Sequence, residues 1–321
     1  MGAPQRAHGA VEVDVVAWPR IALGCGNFGG VGSSPAFFGR GTDEATAFAI
    51  MDAAWAAGIR WFDTADAYGG GRSEEWIGRW RADRGVDALL LTTKVYHSDV
   101  GDPADTGLAP DRIRRRVEQS LTRLGVDRID LYLAHEPDSE TPLGDSVAAF
   151  ERLVDEGVAG AWGVSNYDAA GVREALEHGR PAVVQNAYSL LDREDESEVL
   201  PLCAAHAIAY VPFGPLAGGW LTGKYRRGAP FPSGSRMTQR PEPYEHLVAD
   251  RVFDAIERLE AEAAARRTTP AALAFAWVLS HPDVPAAVCG PNRPEHLDPV
   301  LEARDLELSA VDRERIGAFF T

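Results

Sequence analysis

Asp63, Tyr68, Lys94 and His135 each stand at or just past the end of a short apolar, strand-like run. Gly58-Ile59-Arg60-Trp61-Phe62 leads into Asp63, with Tyr68 five positions on; Ala88 to Thr93 leads into Lys94, and Ile129 to Ala134 into His135. In a parallel α/β fold all strands end on the same side, so side chains scattered along the chain can meet there. A carboxylate, a phenol, an amine and an imidazole brought together make a proton-transfer site. Taken singly, each has a plainer role: a cap, a loop-packing ring, a satisfied core histidine. Lys94 resists that reading most, because a lysine at the end of an apolar strand is rarely buried unless it is paired. The joint occurrence favours chemistry. A phenol with an ordinary pKa of about 10 is a poor acid at neutral pH. A neighbouring ammonium would lower that value, and a carboxylate would hold the ammonium. Lys94, held by Asp63, is therefore expected to acidify Tyr68, with His135 polarising a carbonyl or sharing the proton. Side chains cannot deliver hydride, so such a general acid needs a nicotinamide or flavin.

Later strand ends read as a bed for that cofactor. Ser165-Asn166 and Gln185-Asn186 offer neutral donors and acceptors suited to a carboxamide, and Phe213 offers a flat face for a ring. The segment from Trp220 to Pro241 carries Lys224, Arg226, Arg227, Arg236 and Arg240 and no acid. In an acidic chain such a loop suits a pyrophosphate. Phe28, Phe37, Phe38, Tyr96 and Trp220 predict an apolar, aromatic-lined mouth for the substrate. One motif fails its context: Gly24-Cys25-Gly26-Asn27-Phe28-Gly29 fits G-x-G-x-x-G, but Gly30, Gly32, Ser33, Ser34 and Pro35 follow, where a dinucleotide fold needs a helix.

The elements that must position these residues alternate along the chain. Strands are predicted at 21–25, 59–63, 88–93, 129–134, 159–164, 182–185, 207–213 and 285–289. Helical patterns fall at 43–57, 73–84, 110–124, 145–156, 168–178, 194–206, 246–267, 270–280, 294–303 and 309–320. Eight strands with intervening helices are the count of a (β/α)₈ TIM barrel, here with extra helices and a long loop after strand seven. We expect one domain over residues 1–321, with Val11-Glu12-Val13 as a small hairpin on the barrel floor. In 110–124, Pro110 suits a first turn, Ile113, Val117, Leu121 and Leu124 form one face, and Gly125 ends the helix. Arg112, Arg114, Arg115 and Arg116 are expected on its solvated faces.

The chain of 321 residues is 45% hydrophobic and 25% charged, ordinary globular composition, and carries a net charge of −16. That charge argues against nucleic acid or an anionic membrane as a partner. No apolar run approaches bilayer length. Cys25, Cys203 and Cys289 lack the spacing of a disulfide framework or a zinc site, which fits a reducing cytoplasm, and no metal site is expected.

Trp61-Phe62-Asp63-Thr64-Ala65-Asp66-Ala67-Tyr68-Gly69 closely resembles the signature of aldo-keto reductases. Asp130-Leu131-Tyr132-Leu133-Ala134-His135, Gly163-Val164-Ser165-Asn166-Tyr167 and the run from Pro215 to Tyr225 resemble that family too, from about residue 12 to 320 and in order. Leu221-Thr222-Gly223-Lys224-Tyr225 is nearer the bacterial and potassium-channel β-subunit branches. The resemblance implies a barrel that binds NADPH, with NADH as the alternative, and reduces a small-molecule carbonyl compound to an alcohol. By position, Tyr68 would be the proton donor, Lys94 and Asp63 would tune it, and His135 would orient the carbonyl. Ser165, Asn166 and Gln185 would hold the nicotinamide amide, Phe213 would stack on its ring, and Gly26 and Asn27 would face its ribose. Gly214, Leu216, Gly218, Lys224 and Arg236 would cover the pyrophosphate; Gly290, Asn292, Arg293 and His296 would meet the adenosine end; Phe28, Tyr96 and Trp220 would line the substrate pocket. The adenosine end departs from the family: Pro299 and Val300 stand where Glu and Asn usually grip adenine, and His296 replaces Gln or Arg. Two rival readings remain at this point: a nucleotide-binding redox-sensing or scaffold subunit with little turnover, and an aldolase forming a Schiff base on Lys94.

Overall fold

Apolar runs without a polar face suit parallel strands covered on both sides. The structure, a computed structural model, describes residues 19–321, so the Val11-Glu12-Val13 expectation lies outside the described residues. Its strands are β1 (Ile21–Gly24), β2 (Trp61–Asp63), β3 (Leu90–Val95), β4 (Ile129–Ala134), β5 (Ala159–Ser165), β6 (Val183–Gln185), β7 (Ala209–Tyr210) and β8 (Ala287–Cys289). They form one sheet in the order β7-β6-β5-β4-β3-β2-β1-β8, with every neighbouring pair parallel. The amide of Val288 donates to the carbonyl of Pro212 at 2.8 Å, which joins β8 to the chain just past β7 and closes the barrel. Alternate strand residues split between two cores. Ala22, Trp61, Leu131, Leu133, Val183 and Val288 fill the barrel interior. Leu23, Phe62, Leu91, Tyr132, Val164 and Val184 face the surrounding helices.

Those helices are α1 (Glu44–Ala56), α2 (Arg72–Arg84), α3 (Pro110–Leu124), α4 (Leu143–Asp155), α5 (Ala169–His178), α6 (Val199–Ala205), α7 (Arg236–Gln239), α8 (Asp250–Ala265), α9 (Pro270–Leu279), α10 (Asp298–Arg304) and α11 (Ala310–Gly317). Local chemistry explains their ends: Asp43 caps α1 by accepting from the Thr46 amide, and Gly125 at φ 64° terminates α3. Several boundaries differ from expectation. The seventh strand shrinks from 207–213 to two residues, since Pro212 brings no amide to the ladder. The 246–267 pattern divides into a 3₁₀ turn, Glu242–Leu247, and α8, separated by Val248 and Ala249. A 3₁₀ turn at Glu194–Glu196 likewise splits off from α6.

The larger correction concerns α3. Arg114 and Arg115 stay on the surface, but Arg112 and Arg116 are buried, at 5% and 2% exposure. Loops after β2 and β3 fold over this helix and bring carboxylates to them. Arg116 Nε donates to Asp66 Oδ2 at 2.8 Å and its Nη1 reaches Asp99 Oδ1 at 2.8 Å. Arg112 donates to Asp105 and to three loop carbonyls. Cys25, Cys203 and Cys289 are buried free thiols. Among the described residues no helix is long and apolar enough to cross a membrane.

Candidate active site

β2 ends in Asp63, β3 carries Lys94 one residue before its end, and His135 follows β4, so parallel pairing gathers all three at one rim. Lys94 Nζ donates to Asp63 Oδ1 at 2.6 Å and to the Thr64 carbonyl at 2.9 Å. Gln185 Nε2 donates to the other carboxylate oxygen, Asp63 Oδ2, at 2.9 Å. Lys94 and Asp63 are 1% and 3% exposed, so the pair is sealed from water. The ammonium lies 5.1 Å from the centre of the Tyr68 ring, and the Tyr68 hydroxyl is 3.4 Å from His135 Nε2. Tyr68 is carried by a turn that runs into Gly69, whose φ is +61° and where a Cβ would meet the Phe28 carbonyl at 2.3 Å. Only glycine lets the two loops approach so closely.

The electrostatics revise one expectation. Burial raises the pKa of Tyr68 above its usual 10.0, outweighing the Lys94 charge that lowers it, and Asp63 raises it further. The phenol is therefore protonated. Burial opposes the charge on Lys94, but Asp63 and Tyr68 together more than offset it, so the amine stays an ammonium. His135 is pushed well below its usual 6.5 by burial, then by Lys94 and His97, and is neutral. Among the described residues its buried Nδ1 has no hydrogen-bond partner.

A cleft of about 1670 Å³ opens over this rim, and Asp63, Tyr68 and His135 line it while Lys94 lies beneath. Gly26, Asn27, Ser165, Asn166, Gln185 and Phe213 line its middle. Gly214, Leu216, Gly218, Lys224 and Arg236 line it from the loop after β7, and Gly290, Asn292, Arg293 and His296 from the segment after β8. Asn166, at φ +62°, donates its amide to the His135 carbonyl at 2.9 Å, tying the β5 loop to the β4 rim.

The positive loop divides in two. Arg226 pairs with Glu260, and Arg227 with Asp250 and Asp254, all on the outer face against α8. Lys224, Arg236 and Arg240 line the cleft instead, joined by Arg293. Among the described residues, none of Lys224, Arg236, Arg240 or Arg293 is paired with a carboxylate. Burial lowers the pKa of Lys224, with Arg236 and Arg293 adding to the effect, and burial also lowers that of Arg236. Arg236 is held by Asn27 Oδ1 at 2.9 Å, and Arg293 Nε donates to His296 Nε2 at 2.8 Å. This uncompensated charge is what an anionic ligand would relieve.

The aromatic mouth is not where the sequence predicts it. Phe28 is fully buried, and Trp220 is fully buried in the same core, packed on Tyr225, Phe231 and Phe253. Tyr96 packs on His97 at 5.1 Å and does not line the cleft. The wall beyond Tyr68 is polar, built from His97, Ser98, Asp102 and Glu136. His97 and Glu136 are not among the residues the sequence singles out, although they stand just past the same strand ends as Lys94 and His135. Tyr244, from the 3₁₀ turn after α7, also lines the cleft, and no periodicity or motif in the sequence marks it.

The Aldo/keto reductase family model matches residues 20–319. A probable voltage-gated potassium channel subunit beta of Arabidopsis thaliana is 33% identical over 286 residues, 84% of this chain and 85% of its own. The NADH-specific methylglyoxal reductase of Escherichia coli is 32% identical over 295 residues, 88% of this chain and 89% of its own. Among solved structures, a glycerol dehydrogenase of Gluconobacter oxydans is similar at a TM-score of 0.79 with 28% identity, over 94% of this chain and 90% of its own.

Proposed function

This chain belongs to the aldo/keto reductase family, and from that premise we propose that it reduces an aldehyde or ketone to an alcohol, with Tyr68 as the general acid. The observation that carries the reading is the sealed Lys94–Asp63 pair set against a protonated phenol, in the same cleft as a group of unpaired cations. A reduced nicotinamide dinucleotide, when bound, supplies the hydride.

The chain's own residues then have separable tasks. Tyr68 gives its proton to the carbonyl oxygen, and the Lys94 ammonium stabilises the phenolate that remains. Asp63 holds that ammonium in place, and Gln185 holds Asp63. Neutral His135 fixes the direction of the carbonyl through Nε2, which faces the Tyr68 hydroxyl. The residues fit the cofactor by their donor chemistry. Lys224 and Arg236 would hold its pyrophosphate, and Arg293, steadied by His296, would hold a 2′-phosphate, which is why we favour NADPH over NADH. Ser165, Asn166 and Gln185 would hold the carboxamide, and Phe213 would flank the ring.

An ammonium paired with Asp63 at 2.6 Å is a poor Schiff-base nucleophile, which weighs against the aldolase. The likeness to the potassium-channel subunit supports a second reading, a nucleotide-binding subunit with little turnover. Two assays separate them: fluorescence titration of NADPH and NADH, and loss of nicotinamide absorbance against a panel of aldehydes and ketones. Turnover, faster with NADPH than NADH, is expected; tight binding without turnover of any carbonyl compound would favour the second reading.

A further inference from the structure

We propose that this cleft, if it is the carbonyl-reducing site just described, takes neutral carbonyl compounds and rejects those bearing a carboxylate, and that Glu136 sets the distinction. Glu136 follows His135 directly and lines the cleft at 38% side-chain exposure. Its Oε1 lies 3.7 Å from His97 Nε2 and accepts a long bond from Asn166 Nδ2 at 3.4 Å. The His97 ring is in turn 5.0 Å from the His135 ring, which meets the Tyr68 hydroxyl. The carboxylate is thus two side chains away from the point of proton transfer.

Among the described residues no lysine or arginine lines this wall, and the basic side chain here is His97, whose imidazole faces Glu136. Asp102, from the loop after β3, is the second carboxylate here, held by Ser98 Oγ at its own amide and capping the Ala104 amide. Among the described residues no lysine or arginine pairs with Glu136 or Asp102. Among the described residues, every lysine or arginine of the cleft lining (Lys224, Arg236, Arg240, Arg293) comes from the loops after β7 and β8. Dinucleotide phosphates would neutralise those cations, leaving a substrate carboxylate to face the carboxylates of Glu136 and Asp102 beside the His97 imidazole. The neighbouring polar atoms, Ser98 Oγ and the His97 imidazole, can serve a hydroxyl or amide as well. Two like charges about 8 Å apart at a partly wet protein surface differ from a neutral pair by about tenfold in binding.

Methyl 4-formylbenzoate and 4-formylbenzoate share a ring and an electron-poor aldehyde and differ by one charge. The ester should be reduced with a kcat/KM about tenfold above the acid, and added potassium chloride should narrow the gap. Glu136→Gln should bring the ratio towards one, and Glu136→Asp should keep it, with nucleotide titration confirming that each variant is folded. Equal efficiency on both aldehydes, or a ratio unmoved by Glu136→Gln, overturns the proposal and leaves the reductase reading standing. Turnover of neither aldehyde counts against the reductase reading itself. Calorimetric titration of terephthalamide and 4-carbamoylbenzoate, which keep one amide for Tyr68 and His135 and differ at the far end, into the NADPH-loaded protein then decides the selection, and the acid binding as tightly as the diamide overturns it.

Discussion

On the β2–β4 side of the cleft charge is settled inside the protein, while on the β7–β8 side it is left open. Asp63 and Lys94 are buried, paired at 2.6 Å and held on strands whose register is set by the barrel. Lys224, Arg236 and Arg293 sit on loops and short helical turns, without carboxylate partners among the described residues. The first arrangement costs desolvation once, at folding, and needs no rearrangement when substrate arrives. The second keeps like charges together until an anion comes from solution. One region should therefore register in stability and rate, the other in ligand affinity and salt dependence.

Breaking the buried pair should have the largest effect. Lys94→Met leaves Asp63 without its cation, and denaturant unfolding should show a loss of about 3–5 kcal/mol together with loss of turnover. Lys224→Ala and Arg236→Ala should behave in the opposite way. Each should weaken nucleotide binding by about tenfold or more, with little loss of stability, and the remaining affinity should depend less on salt.

The pH dependence sharpens the contrast within the first region. His135 lies below its usual 6.5 and Tyr68 above its usual 10.0, so kcat should be flat between those values. For stability the sign follows from proton uptake: below 6.5 the unfolded chain binds a proton that folded His135 does not. That contribution is whole above 6.5 and is lost as pH falls through and below it. His135→Asn should remove this acid-side slope in a series of unfolding midpoints. The smallest effect is expected of Arg226→Ala. Its exposed pair with Glu260 lies outside the cleft, so stability should shift by no more than about 0.5 kcal/mol and nucleotide affinity should not change.

The same division marks what could be read from the chain. Strands buried on both faces write themselves as uninterrupted apolar runs, and a functional residue at such a run's end stands out, as Asp63, Lys94 and His135 do. Loops leave no comparable signature. Residues 224–240 read as one basic patch, yet pairing with α8 turns Arg226 and Arg227 outward, which composition does not encode. Arg112 and Arg116 looked like solvated charges because their partners, Asp66, Asp99 and Asp105, come from other loops. Phe28 and Trp220 are apolar near the site, and packing rather than ligand contact absorbs them. The direction of the Tyr68 shift is illegible for a similar reason: strand ends imply proximity to Lys94, but not the depth of burial that outweighs it.

The most direct measurement compares Tyr68→Phe with the parent protein in a single turnover of pre-bound NADPH with an aldehyde. The expected result is a chemical step slower by about 10²–10⁴-fold with nucleotide affinity unchanged. A Tyr68→Phe variant that turns over at the parent rate would contradict the account.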